Sequence, residues 1–362
     1  MDFELSEDQL ALRDAARDLL GGQASTQRVR QVFDATSAPD QTCWAQIVEQ
    51  GWLAVEVPEA DGGLGMDAVE VAVLAEEVGR HAAPVPFVSC VLARGALAAA
   101  GDDRADAIVN GEVVGAVAWS ERVDAVVAER DGDSWVLTGR PDPVPWAPIA
   151  SVCVVAAVVE GSGESALFAV DLDALGRPDA EPAMDRTRTT GWMHLDRTSA
   201  VHLGDGDAVT ALLDRGAVFT AAEMLGSADT AMTMAVEYAK ERVQFGKPIG
   251  SFQAVKHRCA DMLVDVEGMR STVFWAAWAL SAGDDQSVAA STTKTWCSDA
   301  SKRVMASALQ VHGGIGFTWE HDLHFFMKRA QLEQLRFGDA VFHRERLAAL
   351  LRPRVEAGTS VI

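Results

Sequence analysis

The residues best suited to binding an anion lie where two long helical patterns meet, between Glu241 and Gln253. Arg242 and Gln244 are followed by Phe-Gly-Lys-Pro, in which glycine and proline end the helix and force a turn. A guanidinium can donate two hydrogen bonds to phosphate oxygens at once, so an arginine at such a corner suits a pyrophosphate. The alternative is that Arg242 and Lys247 only complement the dipole at the helix C-terminus.

A second segment, from Gln310 to Phe317, has three glycines within four positions, beginning with Gly313 and Gly314. Glycines at this density let a backbone approach a ligand closely. The segment is not a dinucleotide-binding fingerprint, because no strand precedes it and the GxGxxG spacing is absent. The alternative is an ordinary turn between two helices.

The surrounding sequence predicts helices, then strands, then helices again. The first third predicts helices at 41–50, 67–80 and 86–100, after one that Ser6 and Gln9 begin as a capping box. Short Val-rich runs predict strands at 115–120, 124–130, 134–139, 151–159, 166–172 and 192–203. Long helices are predicted at 207–241, 252–281 and 286–312. We therefore expect an α+β protein with an N-terminal helical domain (1–110), a middle β-domain (111–205) and a C-terminal four-helix bundle (206–362).

Composition excludes two broad classes. The 53 acidic and 31 basic residues give a formal net charge of −22, which argues against general affinity for nucleic acid or an anionic membrane. The longest uncharged run, 143–159, contains three prolines and is too short to span a bilayer. The five cysteines are far apart and form no CxxC pair, and the N-terminus is acidic, so we expect free thiols, no secretory signal and a cytoplasmic location.

The two glycine-containing segments, their separation and the order of elements strongly resemble the acyl-CoA dehydrogenase flavoprotein family. The resemblance covers nearly the whole chain: residues 1–20 look like the family's opening helix, and 57–66 look like its Pro-Glu-x-x-Gly-Gly-x-Gly loop. It implies FAD as cofactor, with the Arg-x-x-Phe-Gly corner and the Gln-x-x-Gly-Gly turn gripping the ADP half of a flavin held mainly by a neighbouring subunit. The positions that match are Arg242, Gln244, Phe245, Gln310, Gly313 and Gly314.

The chain departs from the family at the catalytic base. The reaction needs a carboxylate that removes the proton α to the thioester carbonyl while hydride passes to the flavin, and burial suits a glutamate to this task. The resemblance implies two positions for that glutamate, and they are Phe337 and Gly216 here. Neither residue can accept a proton. A shifted alignment would offer Asp339 or Asp214 instead, and solvated or helix-capping roles are the alternative for both.

The region that resembles the family's flavin-ring pocket also differs. Where the family has Thr-Glu-Pro and then a Gly-Ser-Asp loop, this chain has Trp119–Asp124 and reaches the Gly132-Asp133-Ser134-Trp135 turn early. Where the family often has Trp-Ile-Thr or Trp-Ile-Ser, it has Pro143-Val144-Pro145. Proline supplies neither an N–H nor a hydroxyl to a flavin.

The chain has the residues that resemble the family's ADP-half site, but it lacks the base and the residues of the flavin-ring pocket. This combination favours a non-catalytic subunit of an α2β2 acyl-CoA dehydrogenase. A homologous partner would carry the glutamate and the acyl-CoA, and this chain would complete the partner's FAD site. By resemblance, the substrate would be a fatty or steroid-side-chain acyl-CoA and the acceptor an electron-transferring flavoprotein. Two alternatives remain: a self-sufficient homotetramer with a displaced base, and a flavin-free binding or scaffold protein.

Two further groups of residues have types or spacings that could serve a function. His321 and His324 have a spacing that can bind zinc on a helix, but the sequence offers no third strong ligand and we expect no metal. Trp275, Trp278 and Trp296 lie on the central predicted helices of the C-terminal region. Large aromatics there fit either an oligomer interface or core packing.

Overall fold

The computed structural model describes residues 5–35, 40–122 and 124–359. Met1–Glu4, at the start of the predicted opening helix, and Val123, in the region compared with the flavin-ring pocket, lie outside the described residues. The chain divides into two compact units, one from 1–30, 68–83 and 217–362 and the other from 31–67 and 84–216. The three-domain division expected from the sequence stays a prediction.

The order of elements confirms the α+β class, with helices at both ends and strands between. The helices are α1 (Glu7–Gln23), α2 (Thr26–Ala35), α3 (Gln41–Glu49), α4 (Ala68–Arg80), α5 (Phe87–Ala99), α6 (Arg104–Val109), α7 (Leu172–Leu175), α8 (Gly206–Glu241), α9 (Gln253–Ala282), α10 (Gln286–His312), α11 (Leu323–Glu333) and α12 (Ala340–Glu356). The strands are β1 (Gly115–Ala118), β2 (Val126–Asp131), β3 (Ser134–Gly139), β4 (Val144–Pro145), β5 (Val152–Val159), β6 (Ser165–Asp171), β7 (Thr190–Gly191), β8 (Leu195–Gly204), β9 (Val243–Gln244) and β10 (Lys247–Pro248).

The predicted capping box begins α1 as expected. The Ser6 hydroxyl accepts a hydrogen bond from the Gln9 N–H at 3.2 Å, and the Gln9 side-chain oxygen accepts one from the Ser6 N–H at 2.9 Å. This reciprocal pair satisfies two N–H groups that a helix start leaves without partners. In the same unit, α4 packs against α1 and α9, and α10 packs against α9, α11 and α12.

Two glycines allow α4 and α8 to touch backbone to backbone. A Cβ added to Gly226 would lie 1.8 Å from the carbonyl oxygen of Glu76, and one added to Gly79 would lie 1.9 Å from that of Glu223. The Ser227 hydroxyl donates to the Gly79 carbonyl at 3.0 Å across the same contact. Only glycine fits at such a separation, so these two positions fix how closely the helices approach.

A partly buried ion cluster joins α4, α8 and α9 beside this contact. The Arg80 guanidinium lies 2.6 Å from a carboxylate oxygen of Glu76 and 2.6 Å from one of Asp229. Arg270 bonds the same two carboxylates, with 2.7 Å to Glu76 and 3.3 Å to Asp229. Because each charge has several partners of opposite sign, the burial of these groups is compensated.

The second unit is built around a six-stranded mixed sheet. Its strand order is β1-β5-β2-β3-β8-β6, and β5 also pairs with β6, which closes five of the strands into a barrel. β5 runs parallel to β1 and β2, whereas its pairing with β6 is antiparallel. Small and β-branched side chains such as Ala116, Val126 and Val155 fill the interior together with Phe168. Side chains of this size fill the interior of a small barrel.

Among residues 5–35, 40–122 and 124–359, no helix combines the length and the apolar character needed to cross a bilayer.

Candidate functional site

The corner after α8 is a two-residue hairpin. β9 and β10 pair through Gln244 with Lys247 and Val243 with Pro248, and the turn between them places Phe245 at φ 52° and Gly246 at φ 79°. Two successive positive φ values match the turn type that tight hairpins favour. Glycine adopts this conformation freely, but for a phenylalanine it is strained. The Phe245 side chain is nevertheless 92% exposed and meets Phe252 edge to face at 6.1 Å.

The glycine segment after α10 forms a short 3-10 turn, Gly313–Phe317. A Cβ added to Gly313 or Gly314 would have no described atom within 4 Å, whereas one added to Gly316 would lie 3.0 Å from atoms of His312 and Leu309. The three glycines therefore differ in role. Gly316 is needed for packing, while Gly313 and Gly314 leave open space above the backbone that a ligand can occupy.

An open pocket of about 510 Å³ lies between these two segments. The side chains and backbone that line it are Tyr238, Arg242, Gln244, Ile249, Val311, His312, Gly314 and Ile315. The Arg242 guanidinium has no hydrogen-bond or ion-pair partner within the described parts of the chain, and neither Arg242 nor Lys247 donates a side-chain hydrogen bond to a carbonyl of α8. The Lys247 ammonium lies 4.5 Å from the centre of the Phe252 ring. An exposed guanidinium beside an uncovered glycine backbone suits the diphosphate of a nucleotide.

The structure brings three of the six sequence-predicted residues to the pocket wall: Arg242, Gln244 and Gly314. The other three, Phe245, Gln310 and Gly313, lie in the adjoining segments but do not line the pocket. Gln310 is exposed on the last turn of α10.

Sequence reasoning missed Tyr238 and His312, which lie on the floor of the pocket. Their rings stack at 4.9 Å with an interplanar angle of 26°. A signal for both was present: Tyr238 is the only tyrosine in the chain and lies one helical turn before Arg242, and His312 directly precedes the glycine pair. Residues one turn apart share a helix face, which places Tyr238 on the side of α8 that carries the arginine.

Phe337, the first implied glutamate position, lies in a loop whose backbone carbonyl groups accept hydrogen bonds from buried side chains. The Lys294 ammonium is fully buried and donates to the carbonyl oxygens of Gln334 at 2.9 Å and Gly338 at 2.8 Å. Burial lowers the pKa of Lys294 to about 7. The His343 Nε2–H donates to the Phe337 carbonyl at 2.7 Å. Phe337 itself is 4% exposed and has a φ of 54°, so the loop is both packed and strained.

We expect the free energy of unfolding of the chain to decrease as the pH is lowered, because of His343. Its Nε2–H donates to Phe337, and its Nδ1 has no hydrogen-bond partner among the described residues, so only the neutral ring fits. Burial, together with the Lys294 cation, lowers the pKa of His343 to about 3. A depressed folded-state pKa means that the unfolded chain binds more protons, so this group's stabilisation is complete above about pH 6.5 and is lost as the pH falls towards 3.

Urea unfolding measured between about pH 4 and 6 tests this expectation. The free energy of unfolding of the wild type should fall by up to about 1.4 kcal/mol per pH unit through this group alone. His343→Gln keeps a side-chain N–H for the Phe337 carbonyl but cannot titrate, so its slope should be smaller by that amount. Equal slopes for the two proteins would contradict the role of His343.

The carboxylates that a shifted alignment would offer as bases occupy other roles or other places. Asp339 is the N-cap of α12, where one carboxylate oxygen accepts from the Val341 N–H at 2.7 Å and the Phe342 N–H at 2.9 Å. Asp214 is 2% exposed on α8. Gly216, the second implied glutamate position, also lies in α8 and has no side chain to offer.

The segments compared with the flavin-ring pocket form a plain hairpin and a two-strand pair. β2 and β3 run antiparallel from Val126 with Gly139 to Asp131 with Ser134, without a longer loop between them. Pro145 lies in β4 opposite Thr190, and the following residue, Trp146, is 2% exposed with its N–H bonded to the Thr189 carbonyl at 2.7 Å. This part of the barrel unit is therefore occupied by its own side chains.

Neither the predicted histidine pair nor the tryptophans of the C-terminal region line the pocket. His321 precedes α11 instead of lying on it, and among the described residues no group of three or more His, Cys, Asp or Glu side chains is arranged to hold a metal ion. Trp278 and Trp296 are 37% and 38% exposed, so they are not core residues, and Trp296 lies against Gly268.

Family models match the two ends of the chain. The acyl-CoA dehydrogenase N-terminal domain matches residues 6–106, and the C-terminal domain matches residues 204–351. The second match contains the pocket and the loop that holds Phe337.

Relatives of known name extend the similarity over nearly the whole chain. The chain is 33% identical to acyl-CoA dehydrogenase IpdE2 of Mycobacterium tuberculosis, covering 90% of this chain and 91% of the relative. Among solved structures, it is similar to a variant of the Tcur3481-Tcur3483 steroid ACAD, with a TM-score of 0.90, 32% identity, and 97% and 99% of the two chains covered. It is equally similar in fold to a chain of the ChsE4-ChsE5 complex from Mycobacterium tuberculosis, with a TM-score of 0.90, 28% identity, and 97% and 99% covered. Together with the two family models, these matches show that the chain belongs to the acyl-CoA dehydrogenase family, whose members are oxidoreductases acting on acyl-CoA.

Proposed function

We propose that this chain is the supporting subunit of a hetero-oligomeric acyl-CoA dehydrogenase. It contributes the site for the ADP half of FAD, and a homologous partner carries the catalytic glutamate and the acyl-CoA. The observation that carries the proposal is a contrast within one unit of the chain. The pocket that holds Arg242 is open and its guanidinium has no partner among the described residues, whereas the loop where a base would lie holds the buried Phe337.

The residues of the pocket fit the diphosphate of FAD. Members of the family are flavoproteins, and when FAD is bound it accepts the hydrogen removed from the β-carbon of the substrate. Arg242 supplies two parallel N–H donors and Gln244 an amide, while Gly313 and Gly314 leave their backbone uncovered. The ring of Phe245 is 92% exposed at this corner, which is a further reason to expect a second chain there.

The two implied base positions and the N-cap carboxylate of α12 are poorly suited to proton abstraction. A base must lie within hydrogen-bond reach of the α-proton and be able to accept it. Phe337 and Gly216 cannot accept a proton, and the Asp339 carboxylate already accepts two N–H groups at the start of α12. The chain's own residues therefore bind and orient the nucleotide, and the chemical step belongs to the partner.

Related structures support the hetero-oligomeric form. The ChsE4-ChsE5 structure is a complex of two differently named chains, and Tcur3481-Tcur3483 is named as a steroid ACAD. We infer an α2β2 assembly and a bulky acyl-CoA of the steroid-side-chain or fatty acyl class. The acceptor inferred from the resemblance is an electron-transferring flavoprotein, and the location is the cytoplasm.

The flavin content of the purified chain tests the proposal. Expressed alone, the chain should contain far less than one FAD per chain and show no substrate-dependent bleaching of a flavin spectrum. Co-expressed with a homologue that carries the glutamate, it should form a complex with FAD and dehydrogenase activity. Stoichiometric FAD and turnover in the single chain would instead support the self-sufficient homotetramer. A complex without FAD would support the flavin-free scaffold.

Variants of Asp339 distinguish the proposed supporting subunit from the self-sufficient homotetramer most directly. Asp339→Ala removes the N-cap of α12, and we expect it to lower the free energy of unfolding by about 1 kcal/mol. Asp339→Asn preserves a capping oxygen but not a base, so its stability should be close to that of the wild type. Neither variant should change the turnover of the assembled complex. A folded Asp339→Asn complex without activity would make Asp339 the base and reject the supporting role.

A further inference from the structure

His312 lies on the floor of the pocket with one ring nitrogen fixed by the backbone. It is 3% exposed, and its Nδ1 lies 2.8 Å from the carbonyl oxygen of Ala308. A carbonyl oxygen can only accept, so Nδ1 carries the proton. The other ring nitrogen, Nε2, is therefore the one whose protonation can change, and it lies on the side of the ring away from Ala308.

Among the residues that the structure describes, no carboxylate forms an ion pair with the ring of His312. α8 contributes Tyr238, whose ring stacks on the imidazole, and the exposed Arg242. The segment before α11 contributes His321, whose ring meets that of His312 edge to face at 4.5 Å, and Asp322, which pairs with Arg30 of α2.

His321 is held in a defined tautomer as well. Its Nδ1 accepts the Leu323 N–H at 3.2 Å, so that nitrogen carries no proton when the ring is neutral. Burial, with the neighbouring His312, lowers the pKa of His321, and burial also lowers the pKa of His312. In the free chain both rings are therefore neutral at neutral pH, and Arg242 is the one fixed cation among the described residues that line the pocket.

We propose that His312 is a second ligand of the diphosphate in this pocket and that it takes up one proton from solvent when the diphosphate binds. This inference rests on the proposed function of the pocket as the site for the ADP half of FAD. An anion beside Nε2 stabilises the imidazolium, whose new N–H then donates to a phosphate oxygen. The proton comes from water or buffer, no covalent bond is made or broken in the ligand, and the imidazolium and Arg242 together neutralise the two charges of the diphosphate.

The sign of the pH dependence follows from the two states of the ring. The free chain has a His312 pKa below the ordinary value, and the bound anion raises that pKa. At a pH between the free and the bound pKa of His312, binding of the diphosphate is accompanied by uptake of a proton. The affinity for the diphosphate therefore increases as the pH falls. Each unit by which the anion raises the pKa of His312 corresponds to about a tenfold gain in affinity across that range.

Calorimetric titration of the full chain with ADP-ribose tests the proposal. The diphosphate of ADP-ribose is esterified on both sides, as in FAD, so the probe itself does not titrate near neutral pH. We expect about tenfold tighter binding at about pH 6 than at about pH 8, and proton uptake approaching one per site from titrations in two buffers of different ionisation enthalpy. His312→Gln should abolish both effects. His194→Gln, which removes an exposed histidine of the barrel unit, should preserve them.

A measurement on the wild type keeps the inference testable even if His312→Gln folds poorly. In an NMR titration of the histidine rings, ADP-ribose should raise the pKa of one histidine, and that resonance should be the one missing from His312→Gln. Binding of ADP-ribose with no proton uptake and no shifted histidine would overturn the inference but leave the pocket assignment intact. No binding at either pH would overturn the pocket assignment too.

Coenzyme A is the second ligand to be titrated, because it also contains an ADP diphosphate. Its affinity is compared with that of ADP-ribose. Binding of ADP-ribose at least as tight as that of coenzyme A supports the flavin nucleotide as the source of the diphosphate. Tighter binding of coenzyme A, with the same dependence on His312, would keep the role of His312 but reject FAD as the ligand of this pocket.

Discussion

Gly226→Ala is expected to lower the free energy of unfolding by about 3 kcal/mol or more. The new Cβ would lie 1.8 Å from the Glu76 carbonyl oxygen and 2.5 Å from the Arg80 backbone nitrogen. Both contacts are with backbone atoms of α4, so no side-chain rotation can relieve them, and the two helices must separate. Separation would also disturb the ion pair between Arg80 and Asp229 across the same contact. Urea unfolding followed by circular dichroism measures the effect.

Gly95→Ala is the matched control. Gly95 lies in the interior of α5, and a Cβ added there would have no described atom within 4 Å. Alanine is a better helix former than glycine, so this variant should be as stable as the wild type or more stable by up to about 1 kcal/mol. If Gly226→Ala were within about 1 kcal/mol of the wild type, the backbone contact between α4 and α8 would not be as close as the structure has it.

Arg242→Ala is expected to weaken FAD binding in the assembled complex by about 10- to 100-fold, with little change in the folding of this chain. Hydrogen bonds that involve a charged group contribute about 1.5–3 kcal/mol, and the Arg242 side chain makes none within the described chain that its loss would break. Arg242→Lys should recover only part of the affinity, because an ammonium cannot donate two parallel hydrogen bonds. Flavin released on dilution or gel filtration measures the effect.

Arg352→Ala provides the control for charge. Arg352 is exposed on α12, so its removal changes the net charge of the chain by the same amount outside the pocket. We expect normal flavin occupancy in this variant. Full occupancy in Arg242→Ala as well would reject the assignment of the ADP-half site.

Long periodic elements were predictable from the sequence, and short ones were not. The predicted strand at 134–139 is β3, and the predicted helix at 286–312 is α10. The two-residue strands β4 and β7 have no local signal, because their pairing depends on parts of the chain that are distant in sequence. The same holds for the barrel, since the pairing of β6 with both β5 and β8 is a tertiary property.

The pocket was predictable in part for a related reason. Arg242 and the glycine pair have unusual residue types in an unusual order, and the family resemblance that they carry is confirmed. His312 and Tyr238 have no sequence pattern that predicts their stacking, because it is a tertiary contact. The burial of Lys294 was not predictable, because a lysine among threonines is typical of a solvated helix face. Its ammonium is instead bound by carbonyl groups some forty residues later in the chain.

The first implied base position, Phe337, lies in a loop that is packed and held by hydrogen bonds from buried side chains. Lys294 and His343 hold three carbonyl groups of this loop, and the phenylalanine ring fills the space among them. A single Phe337→Glu change would place a carboxylate in packing shaped for an aromatic ring and beside an ammonium that could neutralise it. Under the proposed function, independence from the partner would therefore need several coordinated substitutions and not this one alone.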